Sequence, residues 1–208
     1  MRLGEIRTIA SVLRKEVGWS WPAFLLRCLL RRKSVFAGTH WAADKGDESR
    51  FARRVCLSVA LYVRLKERLG GERALQVMRD ILVPIGSREQ LENARSLSVQ
   101  HDDDMHRLQA FYDFMGKGGV GKFVERTIVE QSENVLSYEV RGCLFSRVYS
   151  ETGTPELTQF FCEVDRDFFP KAFPDLEFHR GGSWENTVAY GKDHCTFIFE
   201  RKTDGGQA

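Results

Sequence analysis

Residues 135–149, VLSYEVRGCLFSRVY, mark the point where the chain changes character. Apolar and polar positions alternate along this run, so it reads as a strand, one face carrying Glu139, Arg141, Cys143, Phe145 and Arg147. Everything before it reads as helix. Ile6, Ile9, Leu13 and Val17 recur at three- and four-residue steps, which predicts a helix over 4–17. Pro22 opens a second, with Phe24, Leu25, Cys28 and Leu29 as its apolar side. Residues 38–48 form a polar connection, 49–69 a strong helix stopped by Gly70-Gly71, and 72–83 a helix ending near Pro84. Residues 88–98 fit no single pattern. From His101 to Met115 an acidic start leads into an amphipathic helix, with Asp102, Asp103 or Asp104 as its cap. A further helix is expected over 122–131.

Beyond the strand, Glu151–Gly153 read as a turn, and Pro155 opens a helix through Phe169 with Leu157, Phe160, Phe161 and Val164 packing inward. Residues 175–180 are a short strand and 181–191 a loop or short-strand region. Residues 193–201, DHCTFIFER, form a last strand whose alternation sets Cys195, Phe197 and Phe199 on one face, and the tail KTDGGQA is expected to fray. Helices first, then strands with an intervening helix, predict an α+β fold: a helical N-terminal section packed with a small antiparallel or mixed sheet. The economical division is one domain over 1–208, with a mainly helical section at 1–134 and an α+β section at 135–201.

Composition excludes more than it identifies. The 208 residues are 42% hydrophobic and 29% charged, which excludes wholesale disorder. Five cysteines are an odd number and too few for a disulfide scaffold. The N-terminus lacks the apolar core of a secretory signal, and the most membrane-like run, Trp19 to Lys33, is interrupted by Arg27. A cytoplasmic protein with reduced thiols is expected. The net charge of +2 hides an asymmetry: residues 1–80 hold 17 Lys and Arg against 8 Asp and Glu, and residues 81–208 hold 14 against 21. The plainest reading packs the basic half against the acidic half or a partner subunit; with Trp19 and Trp21 it is also a candidate homodimer contact or membrane-adjacent surface. It carries no zinc-finger spacing and no RNA-binding aromatic motif, so no specific nucleic acid is expected as a partner.

Residues 116–122, GKGGVGK, match the glycine and lysine spacing of a phosphate-binding loop. The next position should supply a magnesium-binding hydroxyl but is Phe123, and the preceding LQAFYDFM reads as helix rather than buried strand. The preferred reading is a helix–helix connection using positive φ at its glycines.

Cys143, Cys162 and Cys195 fall in three different elements, and Cys162 and Asp165, three apart on one helix, share a side. His179 and Arg180 follow on a short strand, and His194 points away from Cys195. A thiol activated by a nearby His or Arg can act as a nucleophile, and a carboxylate can position water or move a proton. Three thiolates with one further ligand can instead hold zinc, although no closely spaced ligand pair is present. The plainest alternative treats each cysteine as a small buried hydrophobe.

The segments VRGCLF at 140–145, GTPELTQFFCEVDRDFF at 153–169, FHRGGSWENTVAYG at 178–191 and GKDHCTFIFE at 191–200 together resemble the L-2-amino-thiazoline-4-carboxylic acid hydrolase family. The resemblance covers residues 135–201 and implies hydrolytic opening of a small sulfur- and nitrogen-containing ring bearing a carboxylate. On that basis Cys143, Cys162, Asp165 and Cys195 are the candidate catalytic residues: Cys162 or Cys143 as nucleophile, Asp165 to activate water or shuttle a proton. His179, Arg180 and Thr187 are the candidate substrate-binding residues, with Arg180 suited to a substrate carboxylate. No metal or other cofactor is expected, zinc being the alternative. The competing function is a non-enzymatic module that binds a small ligand or a protein.

Overall fold

The computed structural model describes residues 3–97, 103–118 and 120–202. His101, Asp102, Gly119 and the tail from Thr203 lie outside the described residues, and so do the expectations placed on them. The helices are α1 (Leu3–Val17), α2 (Trp21–Ala37), α3 (Asp47–Leu69), α4 (Gly71–Leu97), α5 (Asp104–Gly118), α6 (Leu144–Glu151) and α7 (Gln159–Ala172). The strands are β1 (Glu125–Gln131), β2 (Val135–Arg141), β3 (Leu176–His179) and β4 (Cys195–Arg201). They form one antiparallel sheet in the order β1-β2-β4-β3. The fold is α+β.

The chain divides into two compact units. One comprises Met1–Gly86 and Leu144–Phe161, and the other Ser87–Cys143 and Cys162–Ala208. In the first unit α3 is the central helix. Asp47 and Glu48 at its start and Lys66 and Arg68 at its end complement the helix dipole, and it stops at Gly70, whose φ is +83°. Its inner side buries Ala52, Val55, Cys56, Val59, Ala60, Tyr62 and Leu65. Ser58 meets the Tyr149 hydroxyl of α6 at 2.8 Å, and the Tyr62 hydroxyl donates to Glu156 at 2.6 Å. The Pro-Glu-Leu segment is therefore an anchor for the central helix, with Leu157 fully buried.

The second unit packs α5 and α7 against one face of the sheet. Residues paired across an antiparallel ladder point to the same side. The inward columns are Leu136 with Phe199, Tyr138 with Phe197 and Val140 with Cys195. Phe178 joins Phe199 from β3. Phe111, Phe168, Phe169 and Phe173 fill the space above them. Asp103 caps α5 by accepting the His106 amide at 3.0 Å and pairs with Arg201 of β4 at 2.5 Å.

Five expectations need correction. Residues 122–131 are not a helix: Thr127, Ile128 and Val129 are consecutive β-branched residues, and they form edge strand β1. The strand at 135–149 ends at Arg141, where Gly142 turns the chain at φ +70°. Leu144, Val148 and Tyr149 then form the buried side of α6, so Phe145 and Arg147 are helical. Helix α4 passes through Pro84 instead of stopping there. Proline in a helix interior costs about 3 kcal/mol. Buried Val77, Met78 and Ile81 before it and Ala94 after it supply packing on both sides. The GKGGVGK loop joins a helix to a strand, and its described glycines have no positive φ. Gly121 is a close-approach position, since a Cβ there would stand 3.1 Å from the Met115 carbonyl. The polar connection at 38–48 holds a short 3-10 turn, His40–Ala43, that buries Trp41.

Replacing Asp103 with Ala removes a cap and is expected to cost about 1 kcal/mol of unfolding free energy by urea titration. The paired Arg201 holds the Asp103 carboxyl well below its ordinary 3.8. Its contribution is therefore fully present above that value and lost as pH falls below it, so the wild type and variant should converge in acid.

Candidate active site

Arg180 follows β3 on the same face as Phe178, and its side chain is completely buried. A buried guanidinium must find partners. Its Nη2 donates to Asp165 Oδ2 at 2.7 Å and its Nη1 to the Thr196 carbonyl at 3.0 Å. Aromatic rings surround it: Phe197 at 4.3 Å, Trp184 at 5.0 Å and Phe178 at 5.4 Å from the guanidinium carbon to ring centre. The Asn186 amide donates to the Arg180 carbonyl at 2.8 Å, holding the following loop in place.

Asp165 lies on α7. Burial raises its carboxyl from 3.8 to about 6, against the opposing pull of Arg180. Its side chain keeps 28% exposure, so it remains reachable. Oδ1 accepts no hydrogen bond among the described residues.

Four polar groups in this unit are buried without a hydrogen-bond partner among the described residues: Arg107 Nε on α5, Arg180 Nε, and the hydroxyls of Tyr112 and Tyr138. Buried donors in native proteins are nearly always satisfied, and each orphan costs about 1–3 kcal/mol. Tyr112 and Tyr138 pack edge to face at 4.7 Å, and Tyr138 stacks on Phe197, the ring nearest Arg180. Arg126 of β1 stands over both tyrosine rings, at 5.1 and 5.8 Å. Asp165, Arg126 and Arg180 all act electrostatically on the Tyr112 hydroxyl, which burial above all holds neutral. The orphaned tyrosine hydroxyls, buried Arg180 and the Asp165 carboxyl thus share an aromatic-walled interior, and exposed Arg126 stands over its tyrosine rings at the sheet edge.

The sequence-derived candidates divide around this centre. Cys162 and Asp165 share one side of α7, and the Cys162 thiol donates to Thr187 at 3.5 Å. The Thr187 hydroxyl oxygen also accepts the Ala189 amide at 3.2 Å. Cys195 accepts the Val188 amide at 3.4 Å. Burial pushes the Cys162 thiol up to about 12 and the Cys195 thiol to about 11, so both stay protonated at neutral pH. Cys143 is only half-buried and within electrostatic reach of Cys195. His179 lies on the opposite face of the sheet from Arg180, with Nε2 3.5 Å from Glu200 and Nδ1 accepting the Gly181 amide. His194 also turns away from Cys195, to Asp193 and Glu139. Among the described residues no group of three His, Cys, Asp or Glu side chains is disposed to hold a metal ion.

A sequence model of the L-2-amino-thiazoline-4-carboxylic acid hydrolase family matches residues 48–199. The chain belongs to this family. The match begins far upstream of residue 135 and takes in α3, α4 and α5, whose amphipathic patterns contain no single diagnostic motif. No curated protein matches the chain. Relative to the family-like segments, Tyr112 and Arg126 are additions from outside 135–201. Tyr138 lies inside the run read as a strand but is not singled out by any sequence pattern.

The Asp165 carboxyl is expected to titrate near 6 in a carbon-13 NMR experiment, and Arg180→Met should raise that midpoint by removing the adjacent cation. The sign for stability follows from the raised value. The contribution of Asp165 is full below 3.8 and lost as pH rises through about 6. Asp165→Asn should flatten the pH dependence of unfolding in that window.

Proposed function

We propose that this chain hydrolyses a small sulfur- and nitrogen-containing ring that bears a carboxylate, of the amino-thiazoline type. Family membership supports the reaction class. The observation carrying the residue assignment is the set of orphaned buried donors beside a reachable carboxyl whose pKa is raised. Arg180 Nε and the Tyr112 and Tyr138 hydroxyls can donate to an anionic group, and Arg126 adds positive charge. A substrate carboxylate accepts from these donors, and the ring's amidine-like carbon is presented to Asp165.

Asp165 acts as the base. A pKa near 6 keeps most of it ionised at neutral pH and still close enough to the working pH for efficient proton transfer. Asp165 takes a proton from water as the oxygen bonds to the amidine carbon, and returns it to the ring nitrogen. It then takes the proton of the new hydroxyl as the carbonyl forms, the carbon–sulfur bond breaks, and the sulfur receives that proton. The product is a carbamoyl-cysteine, one water heavier than the ring. Cys162 and Cys195, protonated at neutral pH, line the site rather than attack. Thr187 orients the Cys162 thiol.

Ring opening should be assayed by thiol release. Asp165→Asn is expected to lose about 10²–10⁴-fold in kcat, and wild-type kcat should rise with pH through a midpoint near 6. Tyr112→Phe and Tyr138→Phe should each raise KM roughly tenfold with a smaller change in kcat. Cys162→Ala should keep turnover. A folded Asp165→Asn with wild-type turnover overturns the assignment, and ligand binding without turnover in the wild type favours the non-enzymatic module.

A further inference from the structure

The outer face of α2 has no role in the reaction above. No Asp or Glu occurs between Val17 and Ala43, a stretch that holds Arg27, Arg31, Arg32 and Lys33. The inner side of α2 is used for packing through Phe24, Leu25 and Cys28. The outer side presents Leu26 and Leu30, one helical turn apart and 58% and 59% exposed. Trp19, just before the helix, is 84% exposed, with Arg14 over its ring at 4.4 Å. Beside this face lies a groove of about 520 Å³ lined by Arg27, Arg64, Arg68 and Glu67, with Phe24 and Ala23. Glu67 is shared by Arg31 at 3.0 Å and Arg64 at 3.3 Å, so it offsets only part of the charge. Arg27 and Arg68 have no ion-pair partner among the described residues.

We propose that this face docks the first unit onto an anionic lipid surface, with Trp19, Leu26 and Leu30 entering the headgroup boundary and a lipid phosphate in the arginine groove. Tryptophan and leucine flanked by arginine and lysine are the side chains that partition to that boundary. The groove supplies fixed guanidinium donors suited to phosphate oxygens. Charge separates this partner from the other two. An isologous contact with a second copy would set Arg27, Arg31 and Arg32 against their own counterparts. A nucleic acid would use the arginines but give two exposed leucines nothing to enter, since affinity for its backbone is electrostatic. No helix among the described residues is long and apolar enough to cross a membrane, so the contact is peripheral.

The test is sedimentation of the full chain with vesicles of phosphatidylcholine alone or mixed with phosphatidylglycerol. Binding is expected only with the anionic lipid, and it should weaken with salt. Arg27→Gln and Arg68→Gln should each weaken it roughly fivefold, and Leu26→Ser combined with Leu30→Ser should abolish it. All four positions are outside the proposed active site, so circular dichroism and ring-opening activity should stay unchanged. Equal binding to both vesicle types, no binding, or binding indifferent to the variants overturns the proposal. So does binding of inorganic phosphate or duplex DNA without vesicle binding, or a dimer in sedimentation equilibrium that the leucine variant dissolves.

Discussion

The ion pair between Arg180 and Asp165 governs the second unit. A guanidinium with no exposed surface is tolerated only where hydrogen bonds and a counter-charge replace water. Asp165 supplies the counter-charge, the Thr196 carbonyl a second acceptor, and three aromatic rings the walls. These partners come from α7, from β4 and from the segment around β3, so one side chain ties together three elements of the C-terminal segment. The third donor, Nε, is left without an acceptor. The arrangement is thus satisfied enough to persist and incomplete in one direction, where an anionic group can complete it.

The same pair separates the roles of the acidic groups. Burial disfavours every charge at this site, but Arg180 offsets the effect most for the carboxyl bonded to it. Asp165 settles near 6, whereas the Cys162 and Cys195 thiols stay well above neutrality. A thiolate mechanism would need a cation closer to sulfur than to carboxylate. The Cys162 thiol instead bonds to a neutral hydroxyl, and Cys195 to one backbone amide. In the proposed reaction the carboxyl is therefore the group that exchanges protons, and the protonated cysteines line the site.

How much was legible in the sequence differed with the physics of each element. The alternation of Cys195, Phe197 and Phe199 was readable because β4 is a central strand with one buried face, where period two must appear. Strand β1 carried no such signal, since all seven of its residues are exposed and an edge has no inside to report. The end of β2 depended on the positive φ of Gly142, which a glycine permits but does not announce. Within the site, Cys162 and Asp165 were placed together by helical spacing alone. The separation of His179 from Arg180 follows from strand alternation, since adjacent residues on a strand face opposite ways. The orphaned hydroxyls of Tyr112 and Tyr138 could not be read at all. Whether a buried hydroxyl finds an acceptor is decided by side chains from other elements.

Arginine serves two opposite purposes here, and a net charge of +2 conceals both. Arg180 is stripped of water and held by fixed partners, so its value lies in geometry and in its effect on one neighbouring carboxyl. Arg27 and Arg68 keep their water and line an open groove, so their value lies in attraction at longer range. Screening tells the two apart. Salt weakens interactions of exposed charges separated by about a Debye length while leaving buried pairs largely intact. A chain whose surface contact faded with salt while the Asp165 titration stayed in place would display that division directly. It would also explain why the basic groove and the buried site can be read independently: the first acts through the field it projects, the second through charges it has enclosed.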